Sequence, residues 1–148
     1  MPSSFTYVVI HYIFATKNRE MMIDPDLRER LYPFVGGIVR NRGASLIAVG
    51  GMPDHIHMLV RMGPENSTAE IMRHAKSRSS EWVHKTFPPH QRFGWQDGCG
   101  AFSTNKDGVE AITRYIHNQE LHHRDKLSLA EFTQYLDAHG LEFELKYL

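Results

Sequence analysis

Two histidines one residue apart, His55 and His57, and a tyrosine and glutamine four apart, Tyr115 and Gln119, are the residues of this 148-residue chain whose types and spacing could do chemistry together. On a strand, alternate side chains share a face, so His55 and His57 would project together and Ile56 the other way. Two neutral imidazoles side by side are two thirds of an open metal site. On a helix, residues i and i+4 stand one above the other, which would put Tyr115 and Gln119 on one face. They offer a hydroxyl nucleophile and an amide oxygen able to complete a His-His-Gln metal set. None of these signals is specific by itself. Ten histidines in 148 residues would give about 0.7 His-x-His pairs from composition alone. A tyrosine beside an apolar stripe is more often packing than a nucleophile.

The elements that must position these residues can be read from their start and stop signals. Residues 5–14 are β-branched and aromatic and predict a first strand. Asp24-Pro25 opens a helix whose apolar positions Leu27, Leu31, Phe34, Val35, Ile38 and Val39 recur at helical spacing as far as Gly43. Residues 45–49 predict a second strand, ended by Gly50-Gly51, and residues 54–62 a third that carries the histidine pair. Ser67 caps a second helix that Pro88-Pro89 stops. A fourth strand is expected over 98–104. Asp107 then starts a third helix through Val109, Ile112 and Ile116, and Ser128 caps a short last helix ending at Gly140. The order β-α-β-β-α-β-α describes an α+β, ferredoxin-like βαββαβ antiparallel sheet with helices on one face and an appended C-terminal helix. Such a sheet leaves its other face for a partner or substrate.

Bulk properties narrow the class. The chain has the size of one domain, 1–148, with an ordinary 41% hydrophobic and 23% charged composition. No apolar run reaches the roughly 20 residues that span a bilayer. The N-terminus has no basic region preceding an apolar stretch, so no signal peptide is expected. A single cysteine, Cys99, excludes an intramolecular disulfide and fits a cytoplasmic protein. Seventeen Lys and Arg balance seventeen Asp and Glu, so any nucleic-acid site must be a local patch. Lys17 and Arg19 after the first strand, and Arg73, Lys76 and Arg78 on the second helix, are candidate phosphate contacts. Trp95 could stack on an unpaired base.

Taken together, four blocks in order resemble the single-tyrosine HUH transposases, the insertion sequence 200/605 group and its REP-associated relatives. They are His11-Tyr12-Ile13-Phe14-Ala15-Thr16-Lys17-Asn18-Arg19, Met52-Pro53-Asp54-His55-Ile56-His57-Met58-Leu59-Val60, Trp95-Gln96-Asp97-Gly98-Cys99-Gly100-Ala101-Phe102-Ser103, and Tyr115-Ile116-His117-Asn118-Gln119 followed by His122-His123. The chain departs from the pattern at Cys99, where an aromatic is usual, and at Thr104, where an aliphatic is common. The resemblance implies a DNA transposase. Its divalent ion, Mg or Mn, would be held by His55, His57 and Gln119. Tyr115 would cleave and rejoin single-stranded DNA through a 5′-phosphotyrosine. It further implies hairpin-containing element ends as substrate and a homodimer in which Tyr115 acts in trans.

Other readings compete. Histidine-triad nucleotide hydrolases need a third histidine two residues on, and Leu59 stands there. Neither a P-loop nor a G-x-S-x-G elbow is present. The serious alternative is a domesticated ferredoxin-like nucleic-acid-binding protein with altered or no cleavage activity.

Overall fold

A computed structural model describes residues 4–119, 133–134, 136–138 and 140. Four strands, β1 (Val8–Ala15), β2 (Ser45–Met52), β3 (His55–Met62) and β4 (Gly100–Thr104), form one sheet in the order β2-β3-β1-β4. Every pairing is antiparallel. Helix α1 (Pro25–Asn41) lies between β1 and β2, α2 (Thr68–Thr86) between β3 and β4, and α3 (Val109–His117) follows β4. This is the ferredoxin-like α+β arrangement expected from the sequence.

The helices begin where their capping residues say they should. Asp24 Oδ1 accepts from the Leu27 amide at 2.8 Å, and Ser67 Oγ from the Glu70 amide at 3.1 Å. Helix α1 stops before Gly43, whose φ of 83° is left-handed backbone that a side chain would strain. Its face of Leu27, Leu31, Val35 and Val39 meets Ile71, Ala75 and Val83 of α2. Both helices cover one sheet face, formed by Tyr12 and Phe14 of β1 and Ile56, Met58, Val60 and Met62 of β3. Strand alternation turns the histidines of β3 to the opposite face.

That opposite face is not left open. Helix α3 crosses it over β2 and β3, and Ile116 packs, fully buried, against Val9, Ala48 and Leu59. A smaller cluster joins Ile13 and Phe102 to Leu136. Thr133, Gln134 and Leu136 to Ala138 are helical, and Gly140 (φ 66°) donates its amide to the Asp137 carbonyl, as a helix-ending glycine does. The proposed Ser128 cap lies outside the described residues.

Three boundaries differ from expectation for physical reasons. Strand β1 starts at Val8, whose partner Met62 is the last residue of β3, so residues 5–7 have no strand to pair with. Strand β4 starts at Gly100, because the Gln96, Asp97 and Gly98 carbonyls turn inward to Lys76. Strand β2 runs through Gly50-Gly51 to Met52, where a break was expected. Gly50 stays in the sheet opposite His57, and the Ile116 carbonyl occupies the space a Cβ there would need.

Candidate active site

Strand β3 presents His55 and His57 on the α3 side, with ring centroids 5.0 Å apart and planes at 72°. Both are essentially excluded from solvent, at 2% and 1% exposure. A buried imidazole needs partners for its ring nitrogens, and each histidine obtains one at Nδ1. His55 Nδ1 lies 2.7 Å from Asp54 Oδ1. His57 Nδ1 lies 2.8 Å from His11 Nε2 on β1. Burial works against the Asp54 carboxylate, but the hydrogen bond from His55 and the charge of Arg19 hold its pKa below the ordinary value.

Helix α3 brings the second pair. It ends at His117, and Gln119 lies just beyond the Asn118 cap. Gln119 still follows the helical turn, since its Nε2 donates to the Tyr115 carbonyl at 3.3 Å. That bond fixes the amide orientation and turns Oε1 toward His55 Nε2, 3.2 Å away. Tyr115 stands one turn back, its ring 5.6 Å from that of His57 and nearly perpendicular to it. One face therefore collects His55, His57, Tyr115 and Gln119, the four residues picked out by spacing.

The donor chemistry suits a cation. With Nδ1–H of His55 donated to Asp54, a neutral imidazole presents a lone pair at Nε2. Gln119 Oε1, also an acceptor, faces it. A proton on Nε2 or a shared cation reconciles two lone pairs 3.2 Å apart, and two donors about 2.1 Å from one ion have close to that separation. Nδ1 of His57 is engaged by His11, so any ligation by His57 would fall to Nε2. Among the described residues no group of three or more His, Cys, Asp or Glu forms a metal cluster. This set contains two such residues and an amide.

The family model described as Transposase IS200 like matches residues 4–119. The chain belongs to this IS200-like transposase family. It is 22% identical over 114 residues to the ISDra2 transposase TnpA of Deinococcus radiodurans, covering 74% of this chain and 81% of that protein. The crystal structure of a candidate transposase from Deinococcus radiodurans superposes with a TM-score of 0.65 at 22% identity, over 80% of this chain and 95% of the other. A REP-associated tyrosine transposase bound to a REP hairpin superposes at 0.60 and 15% identity, over 83% and 74%.

Within this IS200-like transposase, the candidate DNA-contact residues fall into different groups. Lys17 is exposed and Arg19 half-buried in a 3-10 turn directly after β1. The turn is fastened to the site, because the preceding Thr16 amide donates to the Asp54 carbonyl at 2.9 Å. Arg73 and Arg78 are exposed on α2, in the layer across the sheet from the histidines. The remaining two candidates are engaged within the protein. Lys76 is half-buried: Nζ donates to the carbonyls of Gln96, Asp97 and Gly98 at 2.5, 3.1 and 3.1 Å, and burial lowers its pKa. Trp95 is a core residue, packed edge-on against Phe14 and Phe93, with Nε1 donating to Ser79 Oγ at 2.9 Å.

Sequence reasoning did not single out His11, Asp54 or Gly50 as site residues. Asp54 carried a visible signal, a carboxylate adjoining His55. His11 and Gly50 join the site only through strand register. His57 pairs with Ile13 on one side and Gly50 on the other, which makes His11 a diagonal neighbour on the same face.

Proposed function

We propose that this transposase cleaves and rejoins single-stranded DNA with Tyr115 as nucleophile, assisted by a divalent ion, Mg or Mn, at His55, His57 and Gln119. The observation that carries the reading is the convergence on one buried face of Tyr115 beside His57 and of Gln119 Oε1 beside His55 Nε2, in a chain of the transposase family. The ion would polarise the scissile phosphate and stabilise charge on the departing 3′ oxygen.

The chain's own residues do the rest. His55 is held by Asp54 and Gln119 by the Tyr115 carbonyl, so the ligating atoms are oriented before DNA arrives. Tyr115 Oη attacks phosphorus, loses its proton and becomes a 5′-phosphotyrosine as the 3′ oxygen leaves as a hydroxyl. One phosphodiester replaces another, so a second 3′-hydroxyl can attack the phosphotyrosine and reseal DNA without an external energy source. The phenol is then restored. Lys17 and Arg19, next to Asp54, are the phosphate contacts this reading favours. Arg73 and Arg78 would serve only DNA that continues around the sheet to the α2 layer. Hairpin-containing element ends are the proposed substrate, in keeping with the hairpin bound by the REP-associated relative. The cytoplasm is the proposed compartment.

The proposed assembly is a homodimer. Exchange of α3 between subunits would preserve each contact described above, with Ile116 on the partner's sheet and Gln119 on the partner's histidine. The same site can thus be built in cis or in trans. Mixing His55→Ala protein with Tyr115→Phe protein separates them: recovered cleavage shows exchange, and none shows that each chain uses its own Tyr115.

The decisive experiment incubates the protein with hairpin oligonucleotides from the DNA flanking its gene, with Mn or Mg, and seeks a denaturant-resistant protein–DNA adduct. An adduct lost in Tyr115→Phe and with chelator is the expected result. Tight binding without an adduct would replace this reading with the domesticated binding protein.

A further inference from the structure

His11 lies at the centre of β1 with 1% exposure, on the face it shares with His57. Its ring stacks on that of His57 at 5.1 Å and 30°, and meets the edges of Phe102 and Tyr115 at 6.4 and 6.5 Å. A leucine would fill such a place at no polar cost, whereas a buried imidazole must be satisfied. What satisfies it here is Nδ1 of His57, 2.8 Å from His11 Nε2.

We infer that His11 is a positioning residue for His57, fixing its tautomer and ring orientation as Asp54 does for His55. The inference rests on the metal reading above. For His57 to ligate through Nε2, that atom must hold a lone pair, so the proton of the neutral ring sits on Nδ1. His57 Nδ1–H then donates to His11 Nε2, which in turn requires the His11 proton on its own Nδ1. Each ligating histidine thus has its Nδ1–H anchored, one by the carboxylate of Asp54 in the turn that leads into its strand and the other by a neutral imidazole from the strand beside it. Without an acceptor at the His11 position, a buried Nδ1–H would be left unsatisfied. The His57 ring would then favour the tautomer that protonates Nε2, the atom the ion needs.

The test replaces His11 in two ways and reads the metal as well as the reaction. His11→Leu keeps the volume and removes the acceptor; His11→Gln keeps an acceptor at comparable reach. Mn2+ binding is followed by electron paramagnetic resonance in the absence of DNA, with thermal melting to confirm folding. His11→Leu is expected to weaken Mn2+ binding by about 10–100-fold, the usual cost of losing a ligand's orienting partner, and His11→Gln to recover most of it. Nitrogen couplings from two imidazoles in the wild type should fall to one in His11→Leu. Unchanged Mn2+ affinity in His11→Leu overturns the positioning role while leaving the metal site standing. Equal loss in His11→Gln and His11→Leu also overturns it, because the effect then follows packing rather than the acceptor. Wild-type protein that binds no Mn2+ overturns the metal reading itself, and this inference with it.

Discussion

The two faces of the sheet bury side chains for different ends, and β3 shows both within eight residues. Toward α1 and α2 it sends Ile56, Met58, Val60 and Met62 into one continuous apolar core. Toward α3 it sends His55, His57 and Leu59, and there the apolar contact breaks into two small clusters around a group of imidazoles. The first face gains stability from area removed from water. The second gives up part of that gain, since its buried polar groups at best recover through hydrogen bonds what desolvation costs. Burial on that side secures geometry: rings held by partners, in a dry setting where charge acts strongly.

Neighbouring substitutions in β3 break the comparison most directly. Met58→Ala should cost about 2–5 kcal/mol of stability while leaving cleavage per folded molecule unchanged. His57→Ala should reduce adduct formation by about 10²-fold or more, the upper end of what an orienting partner alone contributes. Denaturant melts and single-turnover adduct assays on the same preparations check both. If His57→Ala cleaves normally, the histidine face is only a packing surface.

Gly50→Ala tests how the faces are joined. Its new Cβ would meet the Ile116 carbonyl and push α3, with Tyr115, away from His57. A displacement of about 1 Å can cost about 10²-fold in rate, so adduct formation should fall more than stability does. A variant active at the wild-type rate would show that α3 placement on β2 does not set the reaction geometry.

Trp95→Phe belongs to the core face and should act only there. Losing the hydrogen bond to Ser79 is expected to cost about 1 kcal/mol, with DNA affinity unchanged. A large loss of hairpin binding in a folded Trp95→Phe protein would instead give Trp95 a base-stacking role. The smallest effect concerns Glu70, whose hydrogen bond from Arg42, 2.7 Å from Nε, lowers its carboxyl pKa. A lowered folded-state pKa gives stability that is present above the ordinary carboxylate value and fades as pH falls through the folded value. The melting difference between wild type and Glu70→Gln should therefore be present near neutrality and shrink as the pH is taken below the ordinary carboxylate range.

Legibility in the sequence followed the same division. The core face declared itself through period and caps: Asp24, Ser67 and the apolar spacing of α1 each act within a few residues of themselves. His55, His57, Tyr115 and Gln119 were visible as pairs because strand and helix periods link near neighbours. His11 and Gly50 were not, since their part depends on how β1 and β2 slide against β3. A one-residue slip would put either on the wrong face. The internal partners of Lys76 and Trp95 were hidden for a related reason. A cation or an aromatic in an otherwise polar stretch looks available until the loop at 96–98 and Ser79 close on it.

Helix α3 is nine residues long, and Ile116 is its one fully buried side chain. His55 and His57 sit instead on an inner strand, paired with β1 along its whole length and with β2 from His55 to Arg61. Local opening is easiest where few apolar contacts resist it, so α3 amides should exchange with deuterium well before those of β3. In the proposed reaction, Tyr115 would ride on the part of the molecule that can lift away, and His55 and His57 on the part that stays. If the proposed phosphotyrosine forms, its DNA end would change its distance from the sheet without unfolding the domain, making room at the histidines for an incoming strand.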